Sequence, residues 1–241
     1  MALGLLQFVT APVRALWHWW TTSRPARKVL GRAAQQGELL RVFVRDFFIK
    51  PETPLFAQEG AQGPIGVVPN VYVLWPDVEG RGVAYVVNAL GGVGKTRGIE
   101  IVRMSADPGL WDSHILVMGA QARKSFDFYE QMQDVAFKVD AKQIWDQTES
   151  KPIPREDSFG YGVIVKAKNP FTKGRRPGVA ILIGGFGTLG TAAAAYYFRE
   201  QLPDLGKRFG TDCFGAVVRA SVSAGEQSAQ RLPQYDRRVR G

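Results

Sequence analysis

The stretch VAILIGGFGTLGTAAAAYYF, residues 179–198, has the clearest pattern in the chain. Its first five positions are all apolar, which is typical of a strand covered on both faces. Glycines and threonines follow, and the segment 191–202 then predicts an alanine-rich helix that ends at Pro203. A buried strand, a glycine turn and a helix in this order indicate the crossover unit of a parallel α/β sheet.

Other short apolar runs bounded by turn residues predict the rest of the sheet. We expect strands at 39–49, 70–75, 82–88, 98–103, 114–120, 162–171 and 214–222. We also expect a helix at 123–134 and a long loop rich in Gly and Pro at 50–69. The expected fold class is therefore α/β, a three-layer Rossmann-like arrangement with a mostly parallel sheet. It would occupy residues 39–222, between an N-terminal helical segment (1–38) and a basic C-terminal tail (223–241).

The composition fits a protein that buries a core in a reducing compartment. Of the 241 residues, 45% are hydrophobic and 22% are charged. Cys213 is the single cysteine, so an internal disulfide is excluded and the expected location is cytoplasmic. Two histidines without a Cys/His cluster argue against a structural zinc site, and His114, at the start of a strand, is expected to be structural.

The formal charge of +9 is concentrated at the two ends of the chain. Residues before Glu38 carry five cations and no acid, and the last eleven residues carry four arginines and one aspartate. This distribution suits an anionic membrane surface, a partner protein or RNA. RNA ranks below the other two, because a nucleic-acid groove favours cations spread over a folded face.

The N-terminal segment 1–38 is apolar, then rich in tryptophan, then basic. Its cations follow the apolar run, the reverse of a signal peptide, and Gln7, Pro12 and Arg14 interrupt any membrane-spanning helix. Trp17, Trp19 and Trp20 beside the basic run are typical of a segment in the headgroup region of a bilayer. The alternative is a helix that packs on the body of the protein or on a partner.

The first of two glycine motifs, residues 86–98, places Lys95 and Thr96 after Gly94 as in a P-loop. A P-loop requires glycine where this chain has Ala89, and it requires a helix directly after the loop. Here an expected strand follows instead. We therefore expect a hairpin turn at this motif.

The second motif lies in the stretch 179–198, where Gly185, Gly187 and Gly190 satisfy G-x-G-x-x-G between a strand and a helix. Glycine permits positive φ and the approach of an anion to the backbone, and the N-terminus of the following helix attracts phosphate. The hydroxyls of Thr188 and Thr191 could add donors. Close packing of helix on strand is the alternative reason for such glycines.

The segment GGFGTLGT, residues 184–191, resembles the phosphate loop of LOG-type phosphoribohydrolases and their Rossmann-like nucleotide-binding relatives. Gly184, Gly185, Gly187 and Thr188 match that loop, Ile183 replaces its leading proline, and Thr191 stands at its catalytic glutamate. The resemblance implies a nucleotide or phosphorylated nucleoside as the ligand. It leaves the identity of any cofactor unknown.

The remaining candidates follow from their positions near the expected strand ends. Arg123, Lys124 and Arg175 are the cations best placed to meet a phosphate, and Asp157 or Glu156 is the candidate acid for cleavage of an N-glycosidic bond. One interpretation is therefore an N-glycoside hydrolase or transferase. The other is a non-catalytic sensor or scaffold attached to a membrane surface or partner chain through residues 1–38.

Overall fold

The computed structural model describes residues 17, 19–44, 47–49, 54–55, 66–67, 72–74, 77–104, 108–119, 131–132, 135–140, 143–173 and 176–239. Within these ranges the α-helices are α1 (Arg24–Leu30), α2 (Asp77–Gly92) and α3 (Gly187–Phe209). A π-helical turn, Trp19–Ser23, leads into α1. Short 3₁₀ turns lie at Gly31–Ala34, Pro108–Trp111, Glu226–Ser228 and Pro233–Tyr235.

The strands are β1 (Leu40–Val44), β2 (Phe47–Ile49), β3 (Pro54–Leu55), β4 (Gly66–Val67), β5 (Tyr72–Leu74), β6 (Ile99–Arg103), β7 (His114–Met118), β8 (Phe137–Val139), β9 (Ile144–Asp146), β10 (Lys151–Pro152), β11 (Phe159–Lys168), β12 (Val179–Gly185), β13 (Cys213–Ser221), β14 (Gln230–Arg231) and β15 (Arg237–Val239). The expected strand 39–49 is thus two strands. Within the expected loop 50–69, β3 and β4 pair with each other.

The central sheet has eight strands in the order β14-β13-β11-β12-β7-β1-β6, with β15 also paired to β13. β6, β1, β7 and β12 are parallel neighbours, β11 runs against β12, and β13 runs against β11. Five of the eight strands, β1, β6, β7, β12 and β13, therefore point in one direction. The prediction of an α/β fold with a mostly parallel sheet is confirmed at this level.

The two faces of the sheet have different covers in the described part of the chain. The helices α1, α2 and α3 all pack on one face, where Leu30, Val86 and Phe198 share a core with Val42 and Ile181. The opposite face is covered by the small antiparallel sheet β8-β9-β10 and by the 3₁₀ turn that ends at Trp111. The described residues therefore show helices on one face of a mixed sheet.

The expected strand at 82–88 is wrong, since these residues lie inside α2. Val83, Val86 and Leu90 are buried while Ala84 and Val87 are exposed, which is the helical period and not the alternation of a strand. The β-branched composition of this run favoured a strand. Packing of its apolar stripe against α3 and the sheet outweighs that preference.

The helix α3 starts at Gly187, is interrupted just before Pro203, and resumes to Phe209, so the expected break at Pro203 is present and the helical turns after it were not expected. The proline produces a kink, and Gln201 leaves helical geometry with φ −119° and ψ 16°. Leu202, Leu205 and Phe209 are buried beyond the kink. Their packing keeps the chain helical where the proline lacks its amide donor.

The segments outside the expected domain boundaries share its core. Leu30 of α1 belongs to the helical face of the sheet, and β14 and β15 extend the sheet beside β13. The boundaries at 38 and 222 themselves stay a prediction. Among the described residues, every helix is too short or too polar to cross a bilayer. The expected helix 123–134 lies almost wholly outside the described residues.

Candidate functional site

The candidate site is the turn between β12 and α3, at the carboxyl end of the parallel strands. β12 ends at Gly185, and Phe186 precedes the first residue of α3. The Phe186 amide donates a hydrogen bond to the carbonyl oxygen of Tyr161 at 2.8 Å, which fixes the turn to β11. The expected strand, glycine turn and helix are therefore present in that order.

Two of the three motif glycines make the helix and the strands pack closely. A Cβ on Gly190 would lie 2.1 Å from the Tyr161 carbonyl oxygen, and a Cβ on Gly185 would lie 2.4 Å from the Gly190 carbonyl carbon. Both distances are far below van der Waals contact. Gly162 on β11 is in the same contact, since its Cβ would lie 2.2 Å from the Gly190 oxygen. The packing role expected as the alternative therefore applies to Gly185 and Gly190.

Gly187 is different, because it faces open space. Its φ is +72°, and a Cβ built on it would meet no atom within 4 Å beyond its chain neighbours and the backbone of its own helix. Phe186, at the N-cap position of α3, makes no side-chain cap hydrogen bond, and the first turn contains no acid. The free N–H groups and the positive dipole end of α3 thus meet an open surface at Gly187.

The two threonines of the loop differ in exposure. Thr188 is exposed, so its hydroxyl can reach a ligand at the helix N-terminus. Thr191 is buried, and its hydroxyl donates to the Gly187 carbonyl oxygen at 3.4 Å. Gly184 is buried within β12 opposite Val163 of β11. Of the predicted binding residues in the described chain, Gly187 and Thr188 are therefore the ones open to a ligand.

Arg155 is a basic residue at this loop that sequence reasoning missed. Its guanidinium lies 3.6 Å from the centre of the Phe186 ring, directly beside the start of α3. Arg155 and Phe186 are 31 positions apart in the chain. The antiparallel pairing of β11 with β12 brings them together, and no local sequence signal announces that pairing.

The candidate acids lie at the same edge of the sheet as the loop. They immediately precede β11, whose Gly162 pairs with Gly185 at the end of β12. Glu156 forms an ion pair with Arg219 at 3.2 Å, and both side chains are solvent-accessible. Asp157 is exposed in the turn that leads into β11. Arg123, Lys124 and Arg175 lie outside the described residues.

The order of the strands also favours this edge. α2 connects β1 to β6 on one face, while the connection from β6 to β7 places Trp111 on the other face, stacked on Phe43 at 4.1 Å. The order of the strands therefore reverses between β1 and β7, and β7 is the neighbour of β12. Open α/β sheets bind ligands at the carboxyl ends of strands near such a change. β7 ends beside β12 there, because the Gly119 amide donates to the Ile183 carbonyl at 2.9 Å.

Lys95 of the first glycine motif has a structural role. The motif connects α2 to β6, the reverse of the strand–loop–helix order of a P-loop, and the expected hairpin turn is wrong as well. The Lys95 side chain is buried, and its ammonium donates to the backbone carbonyls of Gln35, at 2.6 Å, and Glu38. Burial lowers the pKa of this lysine. It ties the chain before β1 to the loop after α2.

A second cleft, of about 280 Å³, lies at the opposite, amino-terminal edge of the parallel strands. His114 on its wall accepts a hydrogen bond from the Val179 amide through Nδ1 at 2.9 Å, and its Nε2 lies 3.5 Å from a Glu38 carboxylate oxygen. Burial lowers the pKa of His114. The hydrogen bond from Arg32 lowers the pKa of Glu38. These contacts connect β1, β7 and β12 and agree with a structural histidine.

Among the described residues, no group of three or more His, Cys, Asp or Glu side chains could hold a metal ion. Cys213 is half-buried, and burial raises the pKa of its thiol. Asn169 is buried and donates to the carbonyls of Trp111 and Ser113, so its role is to order the turn after β11. In comparison with known proteins, the chain matches no family model and shows no significant similarity to a curated protein.

Proposed function

We propose that the protein binds a nucleotide or a similar phosphate-bearing ligand at the loop Gly184–Thr191. The observation that carries the proposal is the open N-terminus of α3, where the exposed Gly187 has a positive φ and open space at its Cβ position. The glycines on either side allow the helix to pack tightly on β11 and β12. This division of roles, one glycine for ligand approach and one for packing, is what dinucleotide-binding loops require.

The charge at the loop supports an anionic ligand. Phe186 offers no side-chain oxygen to the first N–H groups of α3, so these groups can donate to phosphate oxygens. The Arg155 guanidinium, stacked on Phe186, adds a positive charge at the same place. Arginine binds phosphate through several donors at once. A Rossmann-like three-layer arrangement, as expected from the sequence, would agree with this proposal and stays a prediction.

Calorimetric titration with a panel of mono- and dinucleotides tests the proposal through Arg155. Removal of its charge in Arg155→Gln should weaken binding by about tenfold and reduce the salt dependence, since a charge-assisted hydrogen bond contributes about 1.5 kcal/mol or more. Arg199→Gln is the matched control, because Arg199 stacks on Tyr85 and Tyr196 midway along the same helix. Equal affinities of the two variants would contradict the proposal.

Catalysis of N-glycosidic cleavage would depend on Asp157, since the other candidate, Glu156, is engaged with Arg219. If the protein is a hydrolase or transferase, Asp157→Asn should abolish turnover, measured as release of free base, and leave the dissociation constant of the nucleotide within about twofold. The second candidate function is a nucleotide sensor or scaffold. It is favoured by the ion-paired state of Glu156, and it predicts that no base is released by the wild type while binding remains.

A further inference from the structure

The tryptophans before α1 form an exposed surface with two basic residues. In the described part of the chain six large apolar side chains are exposed, and three of them are Trp17, Trp19 and Trp20. Their exposed fractions are 72%, 42% and 53%. Arg24 stacks over Trp20 at 4.0 Å and lies 6.0 Å from the Trp19 ring. We refer to Trp17, Trp19, Trp20, Arg24 and the exposed Lys28 together as the tryptophan face.

The segment around the tryptophan face carries only positive charges. Residues 17–37 contain four cations, Arg24, Arg27, Lys28 and Arg32, and no acid. Arg27 donates to the Val93 carbonyl and Arg32 pairs with Glu38, so two of the four act inside the fold. Arg24 and Lys28 are four positions apart, one helical turn, and both are exposed. They extend the aromatic surface with positive charge.

The opposite side of this segment is fixed to the body of the protein. Pro25, Ala26, Val29 and Leu30 are buried. α1 contacts the backbone of α3 directly, because a Cβ on Gly206 would lie 1.8 Å from the Pro25 carbonyl oxygen. The buried Lys166 of β11 donates to the carbonyls of Lys28 and Thr211 at 3.0 and 2.9 Å. The orientation of the tryptophan face is thus set by the fold.

We propose that the tryptophan face attaches the protein to the surface of a bilayer that contains anionic lipids. Tryptophan is enriched at the level of the headgroups, where its ring is apolar and its N–H remains hydrated. Arg24 and Lys28 are positioned to meet anionic headgroups, each basic residue near the surface contributing attraction that salt screens. Lipid is favoured over a protein partner because the face combines clustered indoles with cations and contains no acid.

Co-sedimentation of the full chain with lipid vesicles tests this proposal. Binding to phosphatidylserine-containing vesicles should exceed binding to pure phosphatidylcholine, and the tryptophan fluorescence should shift to the blue on binding. The triple variant Trp17→Ser, Trp19→Ser, Trp20→Ser should lose at least tenfold in affinity. Ile101→Thr with Val222→Thr is the control, since these exposed side chains (48% and 59%) lie elsewhere on the surface.

A second pair of variants separates the charge from the indoles. Arg24→Gln with Lys28→Gln should weaken binding to anionic vesicles severalfold, whereas the exposed pair Lys173→Gln with Arg176→Gln should leave it unchanged. All these side chains are exposed, so unfolding temperatures should match that of the wild type. Absence of vesicle binding by the wild type, equal losses in test and control variants, or a tryptophan-dependent dimer in sedimentation equilibrium without vesicle binding would each overturn the proposal.

Discussion

At the scale of single residues, the glycines of the α3 turn have two separate roles. The positions of Gly185 and Gly190 require glycine because the helix and the strands are in backbone contact there. The position of Gly187 requires glycine because the chain turns with positive φ at an open surface. The G-x-G-x-x-G pattern alone does not distinguish the two packing glycines from the open one. Only the positions of Tyr161 and Gly162 on β11 distinguish them, and these depend on the register with β12.

Gly190→Ala should destabilise the protein by about 3 kcal/mol, because the added methyl group must displace the Tyr161 backbone. Urea denaturation measures this change. Gly91→Ala is the control: it lies in the last turn of α2, where a Cβ meets nothing within 4 Å, and the gain in helix propensity predicts a slight stabilisation of about 0.5 kcal/mol. A harmless Gly190→Ala would show that α3 does not pack on β11 in this way.

The sequence predicted the loop glycines but not the residues beside them. Arg155 reaches Phe186 through strand pairing, so its role is visible only in three dimensions. Lys95 was expected in a hairpin turn, and its neighbours were missed as well, since it satisfies two backbone carbonyls in the interior. In both cases the chemistry of the side chain was known, and its neighbours were not.

At the scale of elements, continuous apolar runs predicted the central strands well. β7 and β12 are buried along nearly their full length, so their runs were apolar at successive positions. The helix α2 was mistaken for a strand because Val83, Val86 and Val87 give residues 82–88 a β-branched composition. The course of α3 past Pro203 was also missed, because burial of Leu205 and Phe209 offsets the lost hydrogen bond. Tertiary packing decided both outcomes.

The amino-terminal ends of β1, β7 and β12 meet at His114, which predicts a pH dependence of stability. The pKa of this histidine is lowered by burial, so the unfolded chain binds more protons than the folded one below about pH 6.5. The contribution of neutral His114 to the free energy of unfolding is fully present above that pH. It is lost as the pH falls towards the lowered pKa of the folded state. Unfolding free energy should therefore decrease from pH 7 towards pH 5.

The variant His114→Asn isolates this effect, because its side-chain oxygen can still accept the Val179 amide hydrogen bond while the titrating ring is removed. Denaturation curves of the variant should show a smaller loss of stability over the same pH interval. An identical pH dependence in variant and wild type would assign the effect to other groups.

At the scale of the whole molecule, the two basic ends have different environments. Three of the four C-terminal arginines are paired with acids: Arg231 with Asp204 at 3.4 Å, Arg237 with the buried Asp146 at 2.7 Å, and Arg238 with Asp212 at 3.5 Å. The fourth, Arg240, lies outside the described residues. The expected basic tail is thus partly neutralised against the fold, while Arg24 and Lys28 remain exposed at the other end. The charges counted from the sequence could not show that the C-terminal arginines are ion-paired while Arg24 and Lys28 are exposed.

Thermal unfolding with mono- and dinucleotides, on Gly187→Ala beside Gly210→Ala, tests the central proposal most directly. Gly210 follows the end of the same helix with φ +63°, and as at Gly187 the space at its Cβ position is open, so alanine is strained at both positions by the positive φ and not by a clash. A ligand at ~100 times its Kd should stabilise the wild type and Gly210→Ala by about 2.7 kcal/mol, and should leave Gly187→Ala unshifted. Equal shifts in both variants, or no shift in the wild type with any nucleotide, would contradict a phosphate site at the start of α3.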